Sequence, residues 1–296
     1  MLVGETMNIL ISIDDNYVKY AINLIASIKK NNDNRLNIFL IHDARLSDES
    51  INLLKKFVDD NNIGKLNTIY FNDDTINLPK YIDYISINTY YRLFAPYLLP
   101  LDVDRILYLD SDIICNGDIS ELYNCDFKDN LIIGCENMLP KHLQVWRERN
   151  INRLELPSNY TYINAGVLMI NIKKYREDVS QKEIIEFIKD NINKLIFQDQ
   201  DVINKMFFDK IKLIDNKYNY QINTVEVDNI IDDIRLVHYS ERLKPWNMDY
   251  NEPLKAIFYY KVIKDRGYVD LLKTLIYKHY ENKANDLYNK LIDKEN

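Results

Sequence analysis

Asp110 and Asp112 stand on either side of Ser111, directly after the apolar run ILYL in the segment DRILYLDSDIIC. On an extended stretch residues i and i+2 point the same way, so both carboxylates can converge on one hard cation at ~2 Å while Ser111 faces elsewhere. Two carboxylates that close repel each other unless a proton or a metal intervenes. A divalent ion answers the repulsion, and its octahedral shell would be filled by further side chains or by a substrate's oxygens. The purely structural alternative is that the pair caps the end of a strand and opens a turn.

Positioning such a pair requires a sheet, and the chain supplies strands at regular intervals. MNILISI, from Met7, is a short apolar run, and in the following DDNYVKYAINLIASIKKNN the residues Val18, Ala21, Ile22, Ile25 and Ile28 recur at helical spacing. LNIFLIH reads as a second strand, SDESINLLKKFVDDNN as a helix with Ser47 as its N-cap, and LNTIYF, residues 66–71, as a third strand. Strands alternating with helices imply parallel pairing, and such sheets place ligands outside the carboxyl ends of their strands. The first of those ends carries Asp14, Asp15 and Asn16. INTYYRLFAPYLL, residues 87–99, predicts a helix broken near Pro96 that delivers the chain to DRILYLDSD. LIIGCEN and YINAGVLMIN predict later strands, SQKEIIEFIKDNINKL an amphipathic helix, and IRLVHY, residues 234–239, a last strand. Beyond Pro253 the pattern is helical, rich in Tyr and Lys, without further strand signals. The class is α/β, with a mixed, mainly parallel central sheet flanked by helices.

Composition narrows the chemistry. A chain of 296 residues with 47% apolar content buries a sizeable core. A formal charge of −7 argues against a protein that grips phosphate backbones, so nucleic acid is not an expected partner. Cys115, Cys125 and Cys135 lie ten residues apart without a CxxC pair, which points to reduced, buried thiols rather than zinc. No basic-apolar leader opens the chain and no apolar run approaches the ~20 residues of a membrane span, so a cytoplasmic location is expected. Only six glycines are present and neither GxGxxG nor GxxxxGK[ST] occurs, so any phosphate is held by other means.

Two enzyme chemistries use a strand that ends in Asp-x-Asp. In aspartyl-phosphate phosphatases the motif normally closes the first strand, whereas here it lies past residue 100 without the usual glycine-threonine continuation. In nucleotide-sugar transferases it lies mid-chain, as here. The chain further carries, in order, SIDDNY, ISINTYYRLFAP, ILYLDSDIICNGDISELY, YINAGVLMINIKKYR, FQDQDVIN and VHYSERLKPWN. These segments, from about Met7 to Trp246, resemble glycosyltransferase family 8, the retaining group that includes glycogenin and bacterial lipopolysaccharide galactosyl- and glucosyltransferases.

The resemblance implies a GT-A nucleotide-diphospho-sugar transferase fold over residues 7–250, with a nucleotide-binding half over about 7–115, a sugar and acceptor half over about 116–250, and a C-terminal helical extension over 251–296. It implies that Asp14 accepts a hydrogen bond from a uracil ring while Asn16 and Tyr17 shape the nucleoside site. Arg92 would reach the donor sugar and diphosphate, a task that suits a planar fork. Asp110 and Asp112 would bind the metal with His238 as third protein ligand, and Ser111 would lie against the donor. Manganese is the expected ion, with magnesium as the alternative. Lys244 would pair with the diphosphate while Trp246 packs. Asn164, Asp199 and Gln200 would meet the donor sugar, the last two at the reaction centre, whereas Gln198 and Asp201 are structural neighbours. Where the family often has a glycine against the diphosphate this chain has Glu241, which either turns outward or weakens donor binding.

The implied activity is metal-dependent, retaining transfer of glucose or galactose from a UDP-sugar to a glycan, glycolipid or protein-glycan acceptor. Cleaving the anomeric bond leaves negative charge on the diphosphate, which a cation and Lys244 neutralise. Gln200 is a feeble nucleophile, so attack by the acceptor on the departing face is favoured over a covalent adduct. The rival classes are a non-catalytic nucleotide-sugar-binding protein and a nucleotidyltransferase, which usually relies on a Gly-rich amino-terminal loop where this chain has SIDDNY. The aromatics and lysines of IFYYKVIK and LLKTLIYKHY either rest peripherally on the inner membrane face or bury against the catalytic domain.

Overall fold

The computed structural model describes residues 6–71, 90–140, 143 and 145–292. Its first half alternates strands and helices as the apolar pattern predicts: β1 (Met7–Ser12), α1 (Val18–Asn31), β2 (Leu36–His42), α2 (Asp48–Asp60) and β3 (Gly64–Tyr70). The five periodic residues of α1 are all buried, and Ser47 caps α2 by accepting the Ser50 N–H at 3.3 Å. Next come α3 (Tyr91–Leu98), β4 (Arg105–Leu109), β5 (Ile113–Cys115), α4 (Ser120–Tyr123), β6 (Ile132–Glu136) and α5 (Val145–Arg153). The remainder is β7 (Ile163–Asn171), α6 (Ile172–Asp178), α7 (Gln181–Asn191), α8 (Gln198–Met206), β8 (Ile211–Ile214), β9 (Tyr220–Gln221), β10 (Leu236–His238), α9 (Ile257–Asp265) and α10 (Val269–Ile292).

Seven strands form the central sheet in the order β3-β2-β1-β4-β7-β6-β8. Pairing is parallel from β3 to β4 and again between β6 and β8, while β7 runs antiparallel to both β4 and β6. A second sheet, β5-β10-β9, was not expected: IRLVHY contributes Leu236–His238 to it rather than to the main sheet. Strands of two to four residues, such as β5, β8 and β9, are too short to show a period.

Two further expectations need correction. The helix over 87–99 is not broken at Pro96, because α3 continues to Leu98 with the proline inside it. Tyr91 through Pro96 are all buried, so packing overrides the lost hydrogen bond. Residues 87–89 of that expected helix lie outside the described residues. Asp110, Ser111 and Asp112 are also not extended: the chain leaves the central sheet after Leu109, turns, and enters the second sheet at Ile113.

Among the described residues four apolar clusters form, the smallest of them Ile151, Leu154, Leu156 and Tyr162. One joins β1 and β2 to α1 and α2, and the second packs α3 and the α6–α8 helices against the other face of the sheet. The third unites β5, β9 and β10 with the C-terminal helices through Tyr239, Tyr250, Tyr259, Ile263 and Leu275. Of the C-terminal aromatics, Tyr259 and Tyr260 are thus buried while Tyr277 and Tyr280 are 65% and 51% exposed. No helix among the described residues is long and apolar enough to cross a membrane.

Candidate active site

The turn between β4 and β5 carries Asp110 and Asp112 to the edge where both sheets meet. β10, antiparallel to β5, sets His238 opposite Ile113. One ligand atom from each of Asp110, Asp112 and His238 then lies within 4.8 Å of the others. His238 Nε2 stands 3.2 Å from Asp112 Oδ1 and 4.0 Å from Asp110 Oδ2. The i, i+2 pair therefore does converge, through a turn rather than through the pleat of a strand.

The histidine tautomer follows from backbone donors. The Gly166 N–H donates to Asn164 Oδ1 at 2.9 Å, so the Asn219 group facing that same oxygen at 2.9 Å is its Nδ2 amide. Asn219 Oδ1 is left to face His238 Nδ1 at 2.8 Å, and Nδ1 must carry the proton. With Nδ1 committed to Asn219, Nε2 is the nitrogen that faces the two carboxylates. Asp112 Oδ1, buried and across from it, has no hydrogen-bond partner. A buried carboxylate oxygen without a hydrogen-bond partner, close to a second carboxylate, is unfavourable without a cation, and one imidazole with two carboxylates is a donor set that suits manganese or a similar divalent ion. Gly166 is required by this crowding, since a β-carbon there would lie 2.3 Å from His238 Cε1 and 2.9 Å from Asp110 Oδ2.

Sequence patterns gave no signal for Asn219, which is fully buried and orients the histidine. Asn219→Leu is expected to weaken manganese binding about 10- to 100-fold. Titration of the ion against folded protein, followed by calorimetry, checks this, and an unchanged affinity would refute the orienting role.

Beside Asp110, Asp112 and His238 opens a cleft of about 360 Å³ lined in part by Arg92, Asp110, Asn164, Asp199 and Gln200. Arg92, 8% exposed, donates to the Ala165 carbonyl and to Asp110 Oδ1 at 3.2 Å, and its guanidinium lies 4.0 Å from the centre of the Tyr108 ring. Its Nε approaches Asp199 Oδ2 at 3.0 Å as an ion pair without hydrogen-bond alignment. Burial pushes the Asp199 carboxyl up to about 7 despite the attraction of Arg92. Arg92 thus organises the two acids and borders the cleft. Gln200 Oε1 accepts from Asn164 Nδ2 at 3.2 Å and from the Ala165 N–H at 3.0 Å, so Gln200 and Asn164 form one network.

A second residue without a sequence signal holds that network. Asn204, fully buried in α8, donates to the Ile163 carbonyl and accepts the Ile163 N–H, pinning α8 to β7. Asp201 is structural as expected: fully buried, it is clasped by Arg153, the Tyr162 hydroxyl and the Phe197 N–H. Gln198 opens α8 with φ 48°, a left-handed conformation uncommon outside glycine that lies on the cleft wall.

At the end of β1, Asp14 caps a turn of 3₁₀ helix by accepting the Asn16 N–H at 2.9 Å. Asp15 instead accepts from the backbone and hydroxyl of Ser47, tying this loop to α2. Burial, and then the charges of Asp112 and Asp14, raise the Tyr17 hydroxyl above its ordinary range. Ser111 is buried at the centre of the turn. Lys244 Nζ contacts Asp112 Oδ2 at 2.7 Å and the Tyr239 carbonyl, while Trp246 stacks on Tyr20 with ring centres 3.8 Å apart. Burial would raise the Asp112 carboxyl, but His238 and Lys244 outweigh it and hold it below the usual carboxylate range. Glu241 is exposed.

The chain is similar to several known proteins. A lipopolysaccharide 1,2-glucosyltransferase of Escherichia coli is 30% identical over 304 aligned residues, covering 93% of this chain and 87% of that protein. A Haemophilus influenzae protein named as a glycosyltransferase is 29% identical over 73% of this chain, which spans 64% of that relative's length. The crystal structure of the galactosyltransferase LgtC with donor and acceptor sugar analogues superposes with a TM-score of 0.67 at 25% identity, covering 81% of this chain and 90% of that one. The fold is accordingly that of the GT-A transferases. The sequence profile of "Glycosyl transferase family 8" matches residues 8–249, most of the chain, and the protein belongs to that family.

Proposed function

We propose that this protein is a metal-dependent, retaining hexosyltransferase that moves glucose or galactose from a UDP-sugar to a glycan, glycolipid or protein-glycan acceptor. The observation that carries the reading is the convergence of Asp110, Asp112 and His238, with an unpartnered buried carboxylate oxygen, beside a cleft lined by Arg92, Asn164, Asp199 and Gln200. The relatives' names, a glucosyltransferase and a galactosyltransferase, support the choice of sugar. Manganese is the ion we assign to the three ligands, with magnesium as the alternative. When bound it would supply electrostatic stabilisation to the leaving diphosphate.

The chain's own groups divide the remaining work. Asp14, Asn16 and Tyr17 receive the nucleoside at the end of β1, and Ser111 lies against the donor. Lys244 carries the positive charge nearest the ligands and meets the developing charge on the diphosphate. Arg92 holds Asp110 and Asp199 in register. Asn164 and Gln200 orient the hexose, and because the Gln200 carbonyl already accepts two hydrogen bonds it is poorly placed to act as a nucleophile. The acceptor hydroxyl therefore attacks on the face from which the diphosphate leaves, and passes its proton to the leaving phosphate oxygen. A second cavity of about 210 Å³, lined by Glu136, Asn137, Arg147 and Thr224 among others, adjoins Asn164 through the Asn137 side chain and is our choice for the acceptor.

We further assign the protein to the cytoplasm, with the outward Tyr277, Tyr280 and Lys273 of α10 available for peripheral contact with the inner membrane face. The test is incubation with a panel of nucleotide sugars and manganese: slow hydrolysis of one UDP-hexose is expected. Metal-dependent UDP binding without turnover of any sugar would instead identify a binding module, and a sugar trapped covalently on a side chain would overturn the same-face mechanism.

A further inference from the structure

Lys244 lies on an irregular segment between β10 and α9, and its place is set by a chain of hydrogen bonds that begins in the C-terminal helix. The Lys244 N–H donates to Asn247 Oδ1 at 2.8 Å, and the Asn247 N–H returns to the Lys244 carbonyl at 2.9 Å, closing a tight turn. The Asn247 carbonyl faces His279 Nε2 at 2.8 Å, and a carbonyl only accepts, so Nε2 carries the proton. His279 Nδ1 then accepts from the Tyr260 hydroxyl at 2.5 Å. The imidazole is fully buried and satisfied at both nitrogens in its neutral form. One turn on, Asn282 donates to the Met248 carbonyl at 2.7 Å, and Lys283 pairs with Glu252 at 3.1 Å. On its other side the segment is gripped by Trp246, between Tyr20 of α1 and Tyr259 of α9.

We propose that His279 is a positioning residue for the diphosphate-binding lysine, so that α10 is a working part of the donor site. The role rests on the assignment of Lys244 to the donor diphosphate. Two hydrogen bonds from α10, by His279 to the Asn247 carbonyl and by Asn282 to the Met248 carbonyl, restrict the backbone of 247–248, and the Asn247 side chain transmits that restriction to Lys244. The prediction is selective. A nucleotide with a β-phosphate depends on the aim of Lys244, whereas one without it does not.

The experiment measures UDP and UMP binding to the full chain with saturating manganese, by calorimetry. His279→Leu, which removes the donor to Asn247, is expected to weaken UDP about tenfold and leave UMP unchanged. His279→Gln, whose amide places a donor near the Nε2 position, is expected to restore UDP binding. Asn282→Ala, at a partly exposed site on the same helix, is expected to show the same UDP-selective loss and carries the test should His279→Leu not fold. Equal losses for UDP and UMP, or no loss in either, would overturn the positioning role while leaving the donor assignment intact. Failure of the unsubstituted chain to bind UDP would instead overturn the donor assignment, and this role with it.

Discussion

Asp112→Ala is expected to abolish divalent-cation binding and to lower turnover of the UDP-sugar by about 10³-fold or more. A bound cation contributes several kcal/mol to stabilising a leaving phosphate, and at ~1.4 kcal/mol per decade of rate about 4 kcal/mol is a thousandfold. Asp112 matters more than its neighbour because its Oδ1 lies nearer to His238 Nε2, at 3.2 Å, and its Oδ2 holds Lys244 at 2.7 Å. Its removal takes away a ligand and also releases the lysine. Asp110, by contrast, shares one oxygen with Arg92 and the Tyr108 hydroxyl. Manganese titration and donor hydrolysis, measured on the same folded sample, give the two readouts. Retention of full activity would defeat the metal assignment, and the proposed chemistry with it.

The second large effect concerns stability. Arg153→Leu is expected to destabilise the fold by about 3–5 kcal/mol, because it strands a buried carboxylate. Asp201 is fully buried and takes two parallel bonds from Arg153, at 2.8 and 3.0 Å, beside those from Tyr162 and the Phe197 N–H. Without the guanidinium its charge keeps only the last two. Adding Asp201→Asn to Arg153→Leu should recover part of the loss, since the cost lies in the unpaired charge rather than in the missing contact. Urea denaturation of the two variants tests this, and a single variant as stable as the unsubstituted protein would refute it. The consequence for activity runs through Tyr162, whose hydroxyl accepts from Gln200 Nε2 at 3.3 Å, so loosening Asp201 also loosens the network of Gln200 and Asn164.

The functional site has two structural supports that differ in kind. Asn164, Asp199 and Gln200 stand on β7 and α8, regular elements joined by Asn204, with Asp201 of α8 clasped by Arg153. Lys244 stands on a segment without regular structure, held from outside by aromatic packing and by α10. Irregular backbone can be aimed at a ligand in ways a helix or strand cannot, but it needs such external ties to stay in place.

Much of this was legible in the chain. The apolar periods located β1, α1, β2 and α2, since each element is long enough to repeat its pattern against one core. Asp110 and Asp112 announced themselves by proximity, and the ordered motifs added His238, Lys244, Asn164, Asp199 and Gln200. What the chain did not disclose was the second sheet, whose strands hold two or three residues each. Nor did it disclose Asn219, Asn204 or His279, because each matters through partners remote in sequence: Asn219 acts on Asn164, 55 positions away, and on His238, 19 away.

Local sequence therefore determined which groups were present and which elements would carry them, because periodicity, capping and side-chain chemistry act over a few residues. Tertiary structure alone decided that the two aspartates converge through a turn, which nitrogen of His238 faces them, and that the last helix braces Lys244. Those outcomes depend on the directions of hydrogen bonds between distant segments, and direction is set only when the segments have packed.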